Sequence, residues 1–561
     1  MNRESLFMNW KLPFQFYRIN KTAFSRVLFI FSVVFSLFLT WHVTGIKLDG
    51  DASGELVLAH HLSEIGQFLS TDWYYSTELR VLNTQLIYTP LFRIFSDWHI
   101  VRYVGAIILQ SILVASFLYL SKQCHLSIDT ALLGSAFLLL PLSVAYGRIV
   151  LYHTYYIPHI SIGFCTVGLY LSSYSHWLNK ERKLFVLTSV ELVLLSFVSG
   201  LGGIRQLAIT HCPLIGCIIL HILCSDIPLS VQLRRNSFSF FLALIACVSC
   251  CFGFLINKTY LSTVYSFFDS SSFTLGLMDP SSFKELVYSF FHQFGWRRWT
   301  NGRIIMLLFS YAGLFVGVWF VISGIRNLFH ISKTDSHLNL NIVRRFFPVS
   351  LLIILAIFVF TTRYWHYSLY FIPVIVWIIP MICIEWQDLP DNLFHLSFWH
   401  ICFLLVLFLM LCNSGINGLY FKGFHRWFPQ SYEGLAYTEP ELVQKLEGSI
   451  QFLKDNNYTY GYSTFWNSNV VTELTDGEIR MSSIQVFGDG TRTTNYEWLT
   501  LRSYDDIDVE KTFVLVEEWE QPRYPNTPMY SSGQLVYRDQ YFHIYHFDDP
   551  DAVRNTLLPS M

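Results

Sequence analysis

Long apolar segments, separated by short polar connections, run along the chain as far as Cys412. A helix that crosses a bilayer needs about 20 mostly apolar residues, and by this criterion the chain holds about eleven candidate spans. They lie near Phe24–Thr44, Ile100–Leu120, Thr130–Tyr146, Ile157–Leu178, Leu184–Leu201, Leu207–Cys224, Phe238–Ile256, Ile304–Ile325, Phe346–Thr361, Tyr367–Ile384 and Leu396–Cys412. The pattern therefore predicts an α-helical polytopic membrane protein with about eleven transmembrane helices.

The composition agrees with this class. Of the 561 residues, 53% are hydrophobic and only 14% are charged, whereas a soluble chain carries more charge. The formal net charge of −2 gives no positive field of the kind that binds nucleic acid. All 11 Cys precede Asn413, mostly within apolar stretches, which favours buried thiols over disulfides or a zinc site.

The distribution of Lys and Arg predicts the orientation of the spans. Basic residues precede or open the first span at Arg3, Lys11, Arg18, Lys21 and Arg26. Since basic loops stay on the cytoplasmic side, the N-terminus is expected inside. Alternation of the spans then places the basic connection "NKERK" inside and two long loops, 45–99 and 257–303, outside. An odd number of spans puts the C-terminal region outside as well.

The C-terminal region has a different pattern. From Asn413 the long apolar runs end and charged residues become more frequent. The capping box "TEPE" predicts a helix, and the short runs "YTYGYSTFW", "IRMSSIQVF", "TFVLVEEW" and "YFHIYHF" predict strands. We therefore expect a transmembrane catalytic domain over 1–412 and an extracytoplasmic α/β domain over 413–561.

Three carboxylates, Asp49, Asp51 and Glu55, follow the first span in "KLDGDASGELVLAHH". If a helix begins here, Asp51 and Glu55 are four residues apart and share one face. Acidic residues at this position cap a helix and suit its dipole, so they have either a capping role or a chemical role. The sequence leaves both open.

Four arginine sites lie at predicted outer edges of the spans: Arg148, Arg205, Arg297 and Arg363. Outer loops normally carry few Arg residues, although a single one is commonly a residue that snorkels to the interface. Together, and opposite the acidic cluster, they predict a shared polar cavity. In such a cavity the guanidinium group suits phosphate.

A further set of candidate residues lies in the C-terminal region. In "GYSTFWNSNVVTELTDGEIR", Trp466, Asn467 and Asn469 are candidate glycan-binding residues, because an indole ring stacks on sugars and an amide bonds hydroxyl groups. The alternative is a strand–turn–helix with Asn in the turn.

Two of these segments resemble motifs of the glycosyltransferase C superfamily, which includes the protein O-mannosyltransferases, aminoarabinose transferases and oligosaccharyltransferases. "DGDASGELVLAHHL" resembles the acidic motif of the first outer loop in that group, and "TRYWHYSLYFIPVI" resembles an Arg-Tyr segment that opens a late helix. The chain departs from the pattern at Ala52, where the family has an acid. Either Glu55 replaces that acid one turn later or the second acid is missing.

The resemblance implies a membrane glycosyltransferase that moves a sugar from a polyprenyl-phosphate donor to a hydroxyl of a glycan, lipid or protein, with inversion. Asp51 is the expected base, with Asp49 and Glu55 as further acidic candidates. The expected phosphate ligands are Arg205 and Arg363, with Arg148 or Arg297 in reserve. Asp51 and Glu55 are the candidate pair for magnesium or manganese. The expected location is a bacterial cytoplasmic membrane, with the endoplasmic reticulum as second choice.

The sequence leaves three other functions open. A transporter or flippase needs charged residues near the middle of the bilayer, and Glu191 in the fifth span is the main candidate. A polysaccharide polymerase or ligase would share the lipid-linked substrates and the outer arginines. A scaffold that binds partners through its outer domain would need none of the acidic residues.

Overall fold

A computed structural model describes residues 21–77, 79, 81–224, 227–267, 275–296, 304–329, 338–361, 367–388, 431–432, 435–436 and 442–558. Up to residue 388 these residues are mostly helical, and a six-stranded sheet lies between residues 460 and 547. The predicted span Leu396–Cys412 and the capping box "TEPE" lie outside the described residues.

The helices occur in the following order. They are α1 Lys21–Thr44, α2 Gly50–Ile65, α3 Gln85–Phe92, α4 Trp98–Gln123, α5 Ile128–Leu139, α6 Val144–Tyr146, α7 Ile157–Leu178, α8 Arg182–Leu201, α9 Cys212–Leu223, α10 Leu229–Ile256, α11 Ser262–Val264, α12 Pro280–His292, α13 Ile304–Leu328, α14 Leu338–Phe360, α15 Tyr367–Tyr370, α16 Ile372–Ile375, α17 Ile378–Asp388, α18 Leu442–Asp455, α19 Phe465–Leu474 and α20 Asp551–Arg554. Within the described residues, three π-helical turns accompany them at Gly147–Tyr152, Leu207–His211 and Asn257–Leu261.

Several of these helices suit a bilayer. Among the described residues, six helices are long and apolar enough to cross a membrane. They are Lys21–Thr44, Trp98–Gln123, Arg182–Leu201, Leu229–Val264, Ser310–Leu328 and Leu338–Phe360. The protein is therefore a multi-pass membrane protein in its helical part, whereas the count of about eleven spans and their orientation stay predictions.

Two of the predicted spans are interrupted near a proline residue. Instead of continuing to Tyr146, α5 ends at Leu139, and Leu140 is extended with ψ 135°. Leu140 precedes Pro141, whose ring disfavours helical backbone in the residue before it. The predicted span Tyr367–Ile384 is divided into α15, α16 and α17, and Pro373 lies in the first turn of α16, where its missing N–H costs no hydrogen bond.

The C-terminal region forms a mixed sheet flanked by helices, and its four predicted strands are confirmed. Its strands are β4 Tyr460–Thr464, β5 Arg480–Phe487, β6 Arg492–Asn495, β8 Thr512–Glu517, β9 Gln534–Arg538 and β10 Phe542–Phe547. They lie in the order β6-β5-β4-β8-β10-β9. Strand β4 pairs in parallel with β5 on one side and β8 on the other, while the outer pairs are antiparallel. A hydrophobic cluster that includes Val470, Met481 and Phe513 fixes α19 on the sheet.

Short strands complete the fold. They are β1 Trp73–Tyr74, β2 Ser431–Tyr432, β3 Leu435–Ala436 and β7 Thr500–Leu501. Strand β1 belongs to the first long loop, yet it pairs antiparallel with β7 of the C-terminal region. The backbone N–H of Leu499 donates to the Tyr74 carbonyl at 2.8 Å. The first loop and the C-terminal region are therefore joined by backbone hydrogen bonds.

The start of α2 is held against α19. The Asn469 side-chain amide donates to the carbonyls of Leu499 at 2.8 Å and Gly50 at 3.3 Å. A Cβ atom at Gly50 would lie 2.6 Å from the carbonyl oxygen of Phe465, so only glycine allows this approach. The acidic segment and the C-terminal sheet region thus form one packed unit.

Candidate functional site

Asp49 caps helix α2. Its backbone is extended, and its carboxylate accepts a hydrogen bond from the backbone N–H of Ala52 at 2.8 Å. Arg148 Nε donates to the same carboxylate at 3.0 Å. Burial alone would raise the pKa of Asp49, but the charges of His153 and Arg148 and the bond from Ala52 outweigh burial and hold the pKa below its usual range. A carboxylate stabilised in this way is a weak base.

Glu55 is directed into the protein core. Its side chain is 3% exposed, and its carboxylate accepts a hydrogen bond from the Thr84 hydroxyl. Thr84 lies immediately before α3. The contact therefore connects α2 to the buried N-terminal end of α3.

Asp51 lies on the first turn of α2 and lines a cavity of about 650 Å³. The membrane part contributes Asp51, Thr77, Tyr156, Leu369 and Tyr370 to the wall. The C-terminal region contributes residues that follow or flank the central strands, among them Thr464, Trp466, Gln485, Trp498, Trp519 and Glu520. A cavity of this size, with apolar walls and a few polar groups, is typical of a small-molecule site.

A buried ion pair fixes Asp51 relative to the rest of the cavity. Arg102 of α4 donates from Nε and Nη2 to the two carboxylate oxygens of Glu473 in α19, both at 2.6 Å. Arg102 Nη2 also donates to the carbonyl of Ala52 at 3.0 Å. The side chains of Arg102 and Glu473 are 0% and 5% exposed. One guanidinium group thus connects a membrane helix, the α2 turn that carries Asp51, and the C-terminal region.

Of the four predicted phosphate ligands, the structure describes two, Arg205 and Arg148. Arg205 lies 5.3 Å from the centroid of the Tyr156 ring, and Tyr156 itself lines the cavity. Arg148 is about half exposed and pairs with Asp49. Arg297 and Arg363 lie outside the described residues. Arg205 itself lines a separate, smaller cavity with Asn83, His159 and Gln206, so Tyr156 is the residue that connects it to the cavity of Asp51.

The three predicted glycan-binding residues do not share one environment. Trp466 is 52% exposed and lines the cavity. Asn467 and Asn469 are buried within the packing of α19, and Asn469 bonds to Gly50 and Leu499 as described above. The turn expected by the alternative interpretation is absent here, because α19 begins directly after β4. A glycan-binding role for the two asparagines stays a prediction.

Sequence reasoning missed Trp519 and Glu520, which line the cavity in the segment after β8. The Glu520 carboxylate accepts a hydrogen bond from the backbone N–H of Glu517 at 3.0 Å. Burial raises the pKa of Glu520 to about 7, although the bond from Glu517 acts in the opposite direction. Their position just after a buried strand was the available signal, because ligand-binding residues collect at the carboxyl ends of parallel strands.

The raised pKa predicts a pH dependence of stability. Since the pKa of about 7 in the folded protein lies above the ordinary value of 4.5, folding favours the neutral form of Glu520. This contribution to the free energy of unfolding is complete below pH 4.5 and is lost as the pH rises through 7. We expect Glu520→Gln to flatten this decline in thermal unfolding curves of the purified protein. An unchanged profile in Glu520→Gln, or an equal flattening in Glu518→Gln, contradicts the assignment.

The predicted metal ligands, Asp51 and Glu55, lie in different environments. Asp51 lines the cavity, whereas Glu55 is buried against Thr84. Within the described part of the chain, no group of three or more His, Cys, Asp or Glu side chains is placed to hold an ion. Asp51 and Glu55 therefore do not fit a magnesium or manganese site.

Comparison with known proteins gave structural similarities only. No protein-family model and no curated protein matches the chain. A crystal structure of ArnT from Cupriavidus metallidurans bound to undecaprenyl phosphate matches with a TM-score of 0.47 and 11% identity, over 93% of this chain and 98% of that one. The Archaeoglobus fulgidus oligosaccharyltransferase in complex with zinc and sulfate matches with a TM-score of 0.44 and 12% identity, over 92% and 72% of the two chains. Its apo form gives 0.42 and 12%, over 93% and 74%.

Both of these proteins belong to the superfamily that the sequence resembles. With TM-scores below 0.5 and identities of 11% and 12%, the similarity by itself assigns neither a fold nor an activity to this chain. The functional assignment therefore depends on the residues of the cavity.

Proposed function

We propose that the protein is a membrane glycosyltransferase that moves a sugar from a polyprenyl-phosphate donor to an acceptor hydroxyl in the cavity beside Asp51. The observation that carries the proposal is the position of Asp51. It lies on the first turn of α2, in the wall of a cavity formed jointly by the membrane part and the C-terminal region. The sequence resemblance supports the same reaction.

In this reaction Asp51 acts as the general base. It accepts the proton of the acceptor hydroxyl while that oxygen forms a bond to the anomeric carbon of the donor sugar. The bond between the anomeric carbon and the phosphate oxygen breaks at the same time, and polyprenyl phosphate leaves. A single displacement inverts the configuration. Asp49 and Glu55 are assigned positioning roles, because one caps α2 and the other bonds to Thr84.

Arg205 is the proposed partner of the departing phosphate. A fixed guanidinium group stabilises the charge that develops on the leaving oxygen, and Arg205 lies over the ring of Tyr156, a residue of the cavity wall. Arg148 is bonded to Asp49 and is assigned a secondary role. Arg297 and Arg363 remain proposals from the sequence.

The helical part and the C-terminal region are proposed to be a transmembrane catalytic domain, 1–412, and an extracytoplasmic domain, 413–561. In this orientation α1 ends at the outer face of the membrane and Asp51 follows shortly after it. Transfer then takes place at the outer face of a bacterial cytoplasmic membrane. The orientation is testable by labelling single cysteines introduced at exposed sites such as Glu64 or Glu518 with an impermeant thiol reagent. Labelling from the cytoplasmic side only would reverse the assignment.

The proposed activity is tested with the purified full-length protein in lipid nanodiscs. A set of polyprenyl-phosphate sugars is supplied together with a crude cell-envelope extract as acceptor, and donor loss and free polyprenyl phosphate are followed. We expect one donor to be consumed with an equal gain of polyprenyl phosphate. Movement of an intact donor across the bilayer without consumption would instead favour a flippase.

Arg205 provides a prediction within this assay. We expect Arg205→Gln to lower the rate of donor consumption about 10-fold to 100-fold, because the developing phosphate charge loses its partner. Arg205→Lys retains the charge and should recover part of the rate. Arg93→Gln, at an exposed position after α3, is the matched control. Equal rates for Arg205→Gln and the wild type would remove Arg205 from the site.

A further inference from the structure

The cavity occupies the point where the order of the central strands reverses. From β4 the chain passes through α19 to β5 on one side, whereas β8 lies on the other side of β4. All three strands are parallel. The cavity wall contains Thr464 at the end of β4 and residues at the ends of β5 and β8. In sheets of this kind, ligands bind outside the carboxyl ends of the strands at this reversal.

The segments that leave β4 and β8 at this point carry exposed aromatic side chains. Trp466 follows β4 and is 52% exposed, and Trp519 follows β8 and is 58% exposed. Trp498 and Tyr496 lie in the same wall. Large aromatic rings normally bury most of their surface, so indole rings left open in the wall of a cavity indicate a ligand with a flat apolar face.

Polar groups are placed among these rings. Glu520 lies next to Trp519 in the wall, and Gln485 and Thr464, whose side chain is hydrogen-bonded to Glu520, line the same space. They comprise a carboxyl, a hydroxyl and an amide group, which together can accept and donate several hydrogen bonds. A ligand for this space therefore has hydroxyl groups around its edge as well as an apolar face.

We infer that the wall formed by Trp466, Trp519 and Glu520 is an acceptor subsite for a sugar ring, so that the acceptor of the proposed transfer is a glycan. A pyranose has an apolar face for the indoles and an edge of hydroxyl groups for Glu520, Thr464 and Gln485. The inference rests on the proposed function, because Asp51, which lines the same cavity, is the group that would receive the proton of the reacting hydroxyl.

Other acceptors fit these residues less well. An acyl chain offers no hydrogen bonds for Glu520, Thr464 and Gln485. A peptide commonly adds to an exposed strand edge, but the edges of this sheet are β6 and β9, and neither contributes to the cavity wall. A glycan uses both the aromatic and the polar groups.

The subsite is tested by binding, without any donor. Full-length protein in lipid nanodiscs is applied to an array of defined oligosaccharides, and the best retained sugar is titrated against tryptophan fluorescence. We expect retention by the wild type and a dissociation constant raised about 10-fold or more in both Trp519→Ala and Glu520→Gln, the loss typical of one well-placed contact. Trp519→Phe keeps a ring and should stay within about 3-fold of the wild type. Glu518→Gln, adjacent but outside the cavity wall, is the matched control.

Several results would overturn the inference. The first is that the wild type retains no oligosaccharide. The second is that Trp519→Ala and Glu520→Gln bind the sugar with the affinity of the wild type. The third is that Glu518→Gln loses as much affinity as these two variants. Sugar binding and donor consumption are measured separately, which separates this inference from the proposed reaction. Sugar binding that depends on Trp519 in a protein that consumes no donor would support the subsite and refute the transfer. Donor consumption without sugar binding would do the reverse.

Discussion

Asp51→Asn is expected to lower the rate of donor consumption by about 100-fold to 10,000-fold, the range attributed to a positioned general base. Asparagine has nearly the same shape but cannot accept the proton. The fold should be retained, because Asp49 and not Asp51 provides the N-cap bond to Ala52. The measurement is loss of the polyprenyl-phosphate sugar in nanodiscs, with the thermal unfolding midpoint of each variant determined in parallel.

The control for Asp51→Asn must remove a carboxylate without weakening an ion pair. Glu64→Gln removes a carboxylate from an exposed position of the same helix, far along the chain from its first turn, and should retain the wild-type rate. Asp49→Asn is unsuitable as a neutral control, because it weakens the ion pair with Arg148 and should lower the unfolding midpoint. If Asp51→Asn consumes donor at the wild-type rate while still folded, Asp51 is not the base.

Features that depend on runs of neighbouring residues could be predicted from the sequence. The bounds of α7, Ile157–Leu178, coincide with those of a predicted span, since a long apolar segment favours a helix. However, α7 is not among the six described helices that are long and apolar enough to cross a membrane, and its role as a span stays a prediction. Strands β4, β5, β8 and β10 were predicted from short β-rich runs. The breaks in α5 and in the span from Tyr367 to Ile384 were missed because hydropathy alone does not weigh the effect of proline on the backbone.

The roles of single side chains could not be predicted in the same way. Asp49 and Asp51 are two residues apart, and only the contact with Arg148, 99 positions later, shows that Asp49 is bonded in an ion pair. The spacing of Glu55 from Asp51 predicts a shared metal ion, but the Glu55 carboxylate is buried and accepts a hydrogen bond from Thr84. Glu520 and Trp519 became candidates only once β8 was known to lie beside β4. Each of these assignments depends on contacts between distant parts of the chain, which spacing along the sequence does not encode.

The ion pair between Arg102 and Glu473 gives the largest expected change in stability. Both side chains are almost completely buried, so Glu473→Gln leaves the charge of Arg102 without its carboxylate. Removal of one partner from a buried pair typically costs about 3–5 kcal/mol. We therefore expect a large drop in the thermal unfolding midpoint of the full-length protein. The exposed pair Lys454–Glu478 provides the matched control, because Glu478→Gln should change stability by about 1 kcal/mol or less.

A double variant separates the two tasks of Arg102. Replacing both partners, as Arg102→Met with Glu473→Met, removes the uncompensated charge, and such replacements are commonly neutral or stabilising. Most of the lost stability should therefore return. The bond from Arg102 to the carbonyl of Ala52 is still missing in the double variant, so the α2 turn that carries Asp51 loses a support. We expect donor consumption to remain reduced even though most of the stability has returned. Recovery of both stability and activity would show that the pair acts only through folding, with no part in positioning Asp51.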